Sequence, residues 1–182
     1  MIVLEGPDNA GKSQFAKEFR LPYFAAGPAP SDANDLHECL WSQHTRADTP
    51  CVQDRLTCIS QQVYTENEPT DDLKEELKDL VSIPHFVIVY CRPPDRVLMD
   101  LSKHKVKSYD TEENLTKIVE NQHLYIERYD QLMASVPHFL YDWTEYADLG
   151  ATQLKYVVDL LSLTQIDVEA WSQMRQRAVR SW

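Results

Sequence analysis

The stretch IVLEGPDNAGKSQF, residues 2 to 15, constrains this chain more than any other. A short, β-branched apolar run meets a glycine-bracketed loop, and residues that suit a helix follow Gly11-Lys12-Ser13. Such an apolar run fits a strand buried on both faces. Gly6 to Ser13 satisfies G-x-x-x-x-G-K-[ST] at every fixed position. The glycines let backbone N–H groups curl around phosphate oxygens, and a helix N-terminus turns its positive end to the same anion. Gly6, Asp8, Asn9, Ala10, Gly11, Lys12, Ser13 and Gln14 are therefore expected to hold ATP. Lys12 should reach the β and γ phosphates, and the Ser13 hydroxyl should join a Mg²⁺ shell.

The remaining periodicities fit a parallel sheet around that loop. Residues 24–33, FAAGPAPSDA, read as a strand end followed by a loop, and short apolar runs recur at Cys51-Val52, in HFVIVYC (85–91) and in HFLYDW (138–143). HFVIVYC is continuously apolar, as a central strand covered on both faces must be. Helical spacing is predicted between the strands: over 14–20, 35–44, 56–66, 70–80 with Thr70 as N-cap, 112–134 and 151–163. The RPPDRVLMDL segment adds a short helix. Connections this long are crossovers, so the chain is expected to form a three-layer α/β domain with a five-stranded parallel sheet.

Composition narrows the function classes. The chain has 182 residues, which suits one domain. Charged residues make up 26% of it, and no apolar run approaches the roughly 20 residues a membrane span needs. Met1 to Leu4 runs into Glu5 with no basic region ahead, unlike a secretory signal, so a cytoplasmic location is expected. Cys39, Cys51, Cys58 and Cys91 include no C-x-x-C pair, which points to reduced thiols rather than a metal or disulfide framework. A net charge of −11 disfavours general attraction to nucleic acid but leaves room for a local basic site.

A phosphate loop alone does not separate a kinase from a switch GTPase or a motor ATPase. There is no guanine-reading NKxD, and after VIVYC, where a motor ATPase usually carries an acid, this chain has Arg92. Small-molecule phosphoryl transfer remains. CVQDRLTCISQQVY adds Asp54 and Arg55 at a strand end, with Ser60 and Tyr64 on the helix beyond. Strand ends beside a phosphate loop are where a doubly wound sheet places ligands. An acid there can bind Mg²⁺ through water, and an arginine can neutralise phosphate oxygens. Arg92, ending the central strand, is a further candidate phosphate contact. Lys103, Lys105 and Lys107 in LSKHKVKSYD (101–110) read as a cationic lid over approximately 102–110.

IVLEGPDNAGKS followed by DRLTCISQQVY resembles thymidylate kinase, a P-loop nucleotide kinase family whose pattern is EGxDxAGKS and then DRxxxSxxAY. HFVIVYCRPPDRVL, IERYDQL and YDWTEYADL resemble that family's later strand, long helix and adenine-side loop. The resemblance implies a three-layer P-loop kinase fold, ATP and Mg²⁺, a nucleoside-monophosphate acceptor and a homodimer. It implies catalysis by Lys12, Asp54, Arg55 and Arg92, metal binding by Ser13 and Asp54, and acceptor contacts from Asp8, Arg55, Ser60 and Tyr64. The chain departs from the family where FAAGPAPSD, after the second strand, lacks the arginine that holds the acceptor phosphate. Arg46 is the nearest basic substitute. Two other readings therefore stay open: a kinase acting on a nucleoside or a hydroxymethylated base in DNA, and an ATP-binding regulator without turnover. Residues 164–182, with Trp171, Arg175, Arg177, Arg180 and Trp182, read as a C-terminal helical tail.

Overall fold

The computed structural model describes residues 1–19, 21–25, 27, 30–65, 70–83, 86–100 and 112–144. The expected lid lysines, the 151–163 helix and the 164–182 tail lie outside the described residues. Five strands form one sheet in the order β2-β3-β1-β4-β5, every pair parallel. They are β1 (Ile2–Glu5), β2 (Tyr23–Phe24), β3 (Val52–Asp54), β4 (Val87–Cys91) and β5 (Phe139–Tyr141). β1 sits between β3 and β4, with Ile2 opposite both Val52 and Val87. Both faces of β1 are covered, which explains why its four residues, the acid Glu5 included, are buried.

The period of two sorts the strand residues between two apolar clusters. Val3, Ile88 and Tyr90 pack against helices α3 (Thr57–Tyr64), α4 (Asp71–Ser82) and α6 (Glu112–Met133) through Ile59, Leu77 and Tyr129, among others. Ile2, Leu4, Val52, Val87 and Val89 face the other way, onto Phe15 and Phe19 beside α1 (Lys12–Phe15). α2 (Ala33–Arg46) is capped at its start by Asp32, whose side chain accepts from the Asn34 and Asp35 backbone N–H groups. α5 (Asp95–Leu98) is a single turn after Pro93-Pro94.

Two local expectations need correction. The first helix is shorter than the 14–20 pattern: α1 ends at Phe15 and a 3₁₀ turn, Ala16–Glu18, replaces its last turn. The tighter turn brings Phe15 and Phe19 to a ring separation of 4.9 Å. The second strand is only Tyr23–Phe24, both exposed, because it is the sheet's edge and pairs on one side alone. Thr70 stands at the N-cap of α4 without a side-chain cap hydrogen bond. Asp71 and Asp72 supply favourable charge in that first turn instead. No helix among the described residues is long and apolar enough to cross a membrane.

Candidate active site

The loop after β1 turns through three left-handed residues. Gly6 has φ 137°, Asn9 φ 64° and Gly11 φ 84°. Gly6 is obligatory for a second reason: a Cβ there would lie 2.4 Å from the Cys91 carbonyl oxygen of β4. Asn9 tolerates its conformation as asparagine commonly does, and its side-chain amide donates to the Asp100 carbonyl at 3.2 Å. Lys12, buried, folds back into the loop and donates from Nζ to the Gly6 and Pro7 carbonyls, both at 2.7 Å. Burial, with Arg55 nearby, pushes its ammonium down to about 8 against the opposing pull of Asp54 and Asp8. Ser13 and Gln14 open to solvent at the start of α1.

The Asp54–Arg55 turn leaves β3 beside this loop. Arg55 itself is left-handed, φ 62°, a strained conformation for a long side chain. Two remote side chains hold the turn. Buried Glu5 accepts from the Leu56 backbone N–H at 2.5 Å, and Gln43 of α2 accepts from the Thr57 N–H at 2.8 Å. The Gln43 amide also donates to the Arg55 carbonyl at 3.4 Å. These are orphan N–H groups at the start of α3, whose N-cap, Leu56, has no capping side chain. Glu5 and Gln43 supply the cap from other elements.

Arg55 donates to Asp8 at 3.0 Å and to the Gly6 carbonyl at 3.4 Å, tying the turn to the phosphate loop. Its guanidinium carbon lies 5.0 Å from the centre of the Tyr64 ring. Burial opposes the Arg55 charge, but Asp8, Tyr64, Tyr129 and Asp54 raise its pKa well above the ordinary value. Tyr64 packs against Tyr125 at 4.7 Å and Tyr129 at 5.9 Å, and Ser60 lies one turn earlier on α3. Beneath them Glu5 takes a second hydrogen bond, from the Tyr129 hydroxyl at 3.2 Å. Burial drives its carboxyl up to about 7, against the lowering effects of the Leu56 N–H, Arg55 and Lys12, with Asp54 adding to the rise.

Lys12, Asp8, Asp54, Arg55 and Tyr64 thus converge, as the sequence suggested. Asp54 is buried; Oδ2 accepts from the Tyr23 hydroxyl at 2.9 Å, while Oδ1 has no hydrogen-bond partner among the described residues. Two expected residues stand elsewhere. Arg46 stacks on Phe24 at 4.4 Å and donates to Gln53 at 3.3 Å, so it packs the edge of the sheet. Arg92 forms a two-nitrogen pair with Asp130, both bonds 2.9 Å, and meets Asp95 at 2.7 Å and the Pro93 carbonyl at 2.9 Å. Every guanidinium nitrogen is engaged, which makes Arg92 a clamp between β4 and α6 instead of a free phosphate ligand.

Glu5, Tyr23, Gln43, Gln122 and Tyr129 were not singled out as site residues from the sequence. Only Glu5 carried a signal, an acid at the end of a buried strand. Gln122 of α6 is fully buried and donates to the Asp8 and Leu98 carbonyls at 3.1 and 3.2 Å. Trp143, in the loop after β5, lies against Gly11: a Cβ there would come within 2.9 Å of the indole Cδ1.

No protein-family model and no curated protein matches the sequence. The structure is similar to that of YorR protein from Bacillus subtilis in complex with phosphorylated GDP. The likeness covers 90% of this chain and 98% of that one, with TM-score 0.58 and 22% identity. Deoxyadenosine kinase from M. mycoides with bound dCTP matches over 89% of this chain and 99% of that one, with TM-score 0.43 and 17% identity. The likeness to the YorR structure is one of fold: an α/β domain around an all-parallel five-stranded sheet.

Proposed function

We propose that this protein is a nucleotide kinase that transfers the γ-phosphoryl group of ATP to a nucleoside monophosphate of the thymidylate type. The observation that carries this reading is the tie between Asp8 and Arg55. It joins a complete phosphate loop to a second charged, aromatic-lined site. Phosphate oxygens entering the loop replace the Gly6 and Pro7 carbonyls as partners of Lys12, which then neutralises the moving phosphoryl group. Asp8 and Arg55 seat the acceptor, and Ser60, Tyr64 and Tyr125 flank its base. The half-exposed indole of Trp143 offers the donor base a flat face beside the loop. With the attacking acceptor oxygen and the departing β-phosphate oxygen of ADP in line across the γ-phosphorus, most of the rate comes from position and charge stabilisation.

The residues present fit a Mg²⁺ ion. Asp54 has a buried oxygen without a partner among the described residues and Ser13 an exposed hydroxyl, both hard oxygen donors of the kind Mg²⁺ takes alongside phosphates. The ion would neutralise negative charge on the nucleotide phosphates.

One observation favours a nucleoside acceptor as the second reading. Arg46 and Arg128 on this side of the molecule are already committed, Arg46 to Gln53 and Phe24 and Arg128 to the Val63 and Thr65 carbonyls. A hydroxyl acceptor needs no arginine for a phosphate of its own. The test is ADP release from ATP and Mg²⁺ with dTMP, dUMP, the other deoxynucleoside monophosphates, the nucleosides and a duplex oligonucleotide. Stimulation by a monophosphate supports the first reading and stimulation by nucleosides alone the second. ATP binding without release on any acceptor overturns both and leaves a regulator.

A further inference from the structure

Edge strand β2 is too short to stabilise a sheet by itself, yet it places one side chain against the site. Tyr23 pairs with Val52 of β3 in parallel register. The period of two puts Val52 and Asp54 on one face, so the diagonal neighbour of Tyr23 is Asp54. A phenol is long enough to span that diagonal, and the Tyr23 hydroxyl donates to Asp54 Oδ2 at 2.9 Å. The ring itself is 41% exposed, so it contributes little to the core.

A carboxylate has a broad, nearly two-fold torsion about its last bond and does not orient itself. Here the neighbours make orientation matter. Asp54 lies within electrostatic reach of Lys12, Glu5 and Arg55. A freely turning carboxylate beside Lys12 would compete with phosphate for the ammonium. One oxygen is held by Tyr23; the other is buried and unpartnered among the described residues. An unsatisfied buried acceptor is costly and persists where something else is to occupy it.

We propose that Tyr23 is a positioning residue for Asp54, fixing one carboxylate oxygen so that the other is presented to the metal ion that accompanies a bound nucleotide. This rests on the nucleotide-binding reading above. Tyr23 touches neither nucleotide nor metal in this role and acts through Asp54 alone.

The experiment is calorimetric titration of ADP into the full chain, in EDTA and again in excess Mg²⁺, for wild type, Tyr23→Phe, Asp54→Asn and the double variant. Wild type should bind ADP more tightly with Mg²⁺ than without. Tyr23→Phe should leave the EDTA affinity unchanged and lose about tenfold of the Mg²⁺ enhancement, the scale of one hydrogen bond to a charged group. In the Asp54→Asn background, Tyr23→Phe should add no further loss. An unchanged Mg²⁺ enhancement in Tyr23→Phe overturns the proposal. So does an equal loss in both media, which would mark a structural role, or additive losses in the double variant. Failure of wild type to bind ADP in either medium overturns the nucleotide-binding reading itself. ADP binding that Mg²⁺ does not strengthen overturns only the link to Asp54.

Discussion

The two halves of the site are built by opposite means. The phosphate loop is continuous in sequence: eight residues, Gly6 to Ser13, carry the left-handed turns, the lysine and the hydroxyl. The charged, aromatic-lined half is assembled from β1, α2, β3, α3 and α6, and its central turn is capped by Glu5 and Gln43, which lie 51 and 14 residues from the N–H groups they bind. A continuous motif is mostly backbone and needs little around it. An assembled one depends on buried charges that must be matched, so its variants should damage folding as well as chemistry.

The sharpest way to break this contrast is at Arg55. Arg55→Met strips a largely buried Asp8 of its guanidinium and should cost about 3–5 kcal/mol of stability, read by denaturant unfolding. A loss under 1 kcal/mol would mean that the assembled half is no more demanding than the loop. Lys12→Ala is the converse. It should reduce kcat by about 10²–10³ through lost charge stabilisation while the protein stays folded. Near-normal turnover would remove the loop from the mechanism.

Glu5 sharpens the contrast through pH. Its carboxyl is raised from the ordinary value of 4.5 to about 7, first by burial, so the folded state binds a proton that the unfolded state has already released. The penalty is absent below about pH 4.5 and complete above about pH 7. Across that window Glu5 should lower stability by about 3 kcal/mol as pH rises. Glu5→Gln keeps an acceptor for the Leu56 N–H and should flatten this part of the profile. Parallel profiles for the two proteins would show that Glu5 is ionised throughout.

The smallest effect belongs to the loop. Gly11→Ala forces a side chain into φ 84° and against Trp143. It should cost about 1–2 kcal/mol, measured as a lowered Tm. Trp143→Ala in the same chain should recover the steric part only. Full recovery would mean that the left-handed turn itself carries no cost.

Much of the fold could be read directly, because parallel strands buried on both faces write continuous apolar runs and their crossover helices write a 3.6 period. Val87–Cys91 and the helix from Glu112 follow those signals closely. Edge elements were less legible. Tyr23–Phe24 has neither burial nor alternation to mark it, and its existence depends on pairing with β3. The proximity of Lys12 to the Asp54–Arg55 turn was readable, since the loop that carries Lys12 and that turn follow the ends of two strands, β1 and β3, that pair in parallel.

Arg46 and Arg92 show where that reasoning stops. Both have the right chemistry at plausible positions, and each is claimed by a neighbour that only folding supplies: Phe24 and Gln53 for one, Asp95 and Asp130 for the other. The glycine-bracketed loop after β1 and the parallel architecture are written in the order of residues, because backbone conformation and hydrophobic period are local properties. Tertiary structure alone decided which charges remain available for ligands. An ion pair or a remote cap depends on distances between segments that the order of residues does not contain.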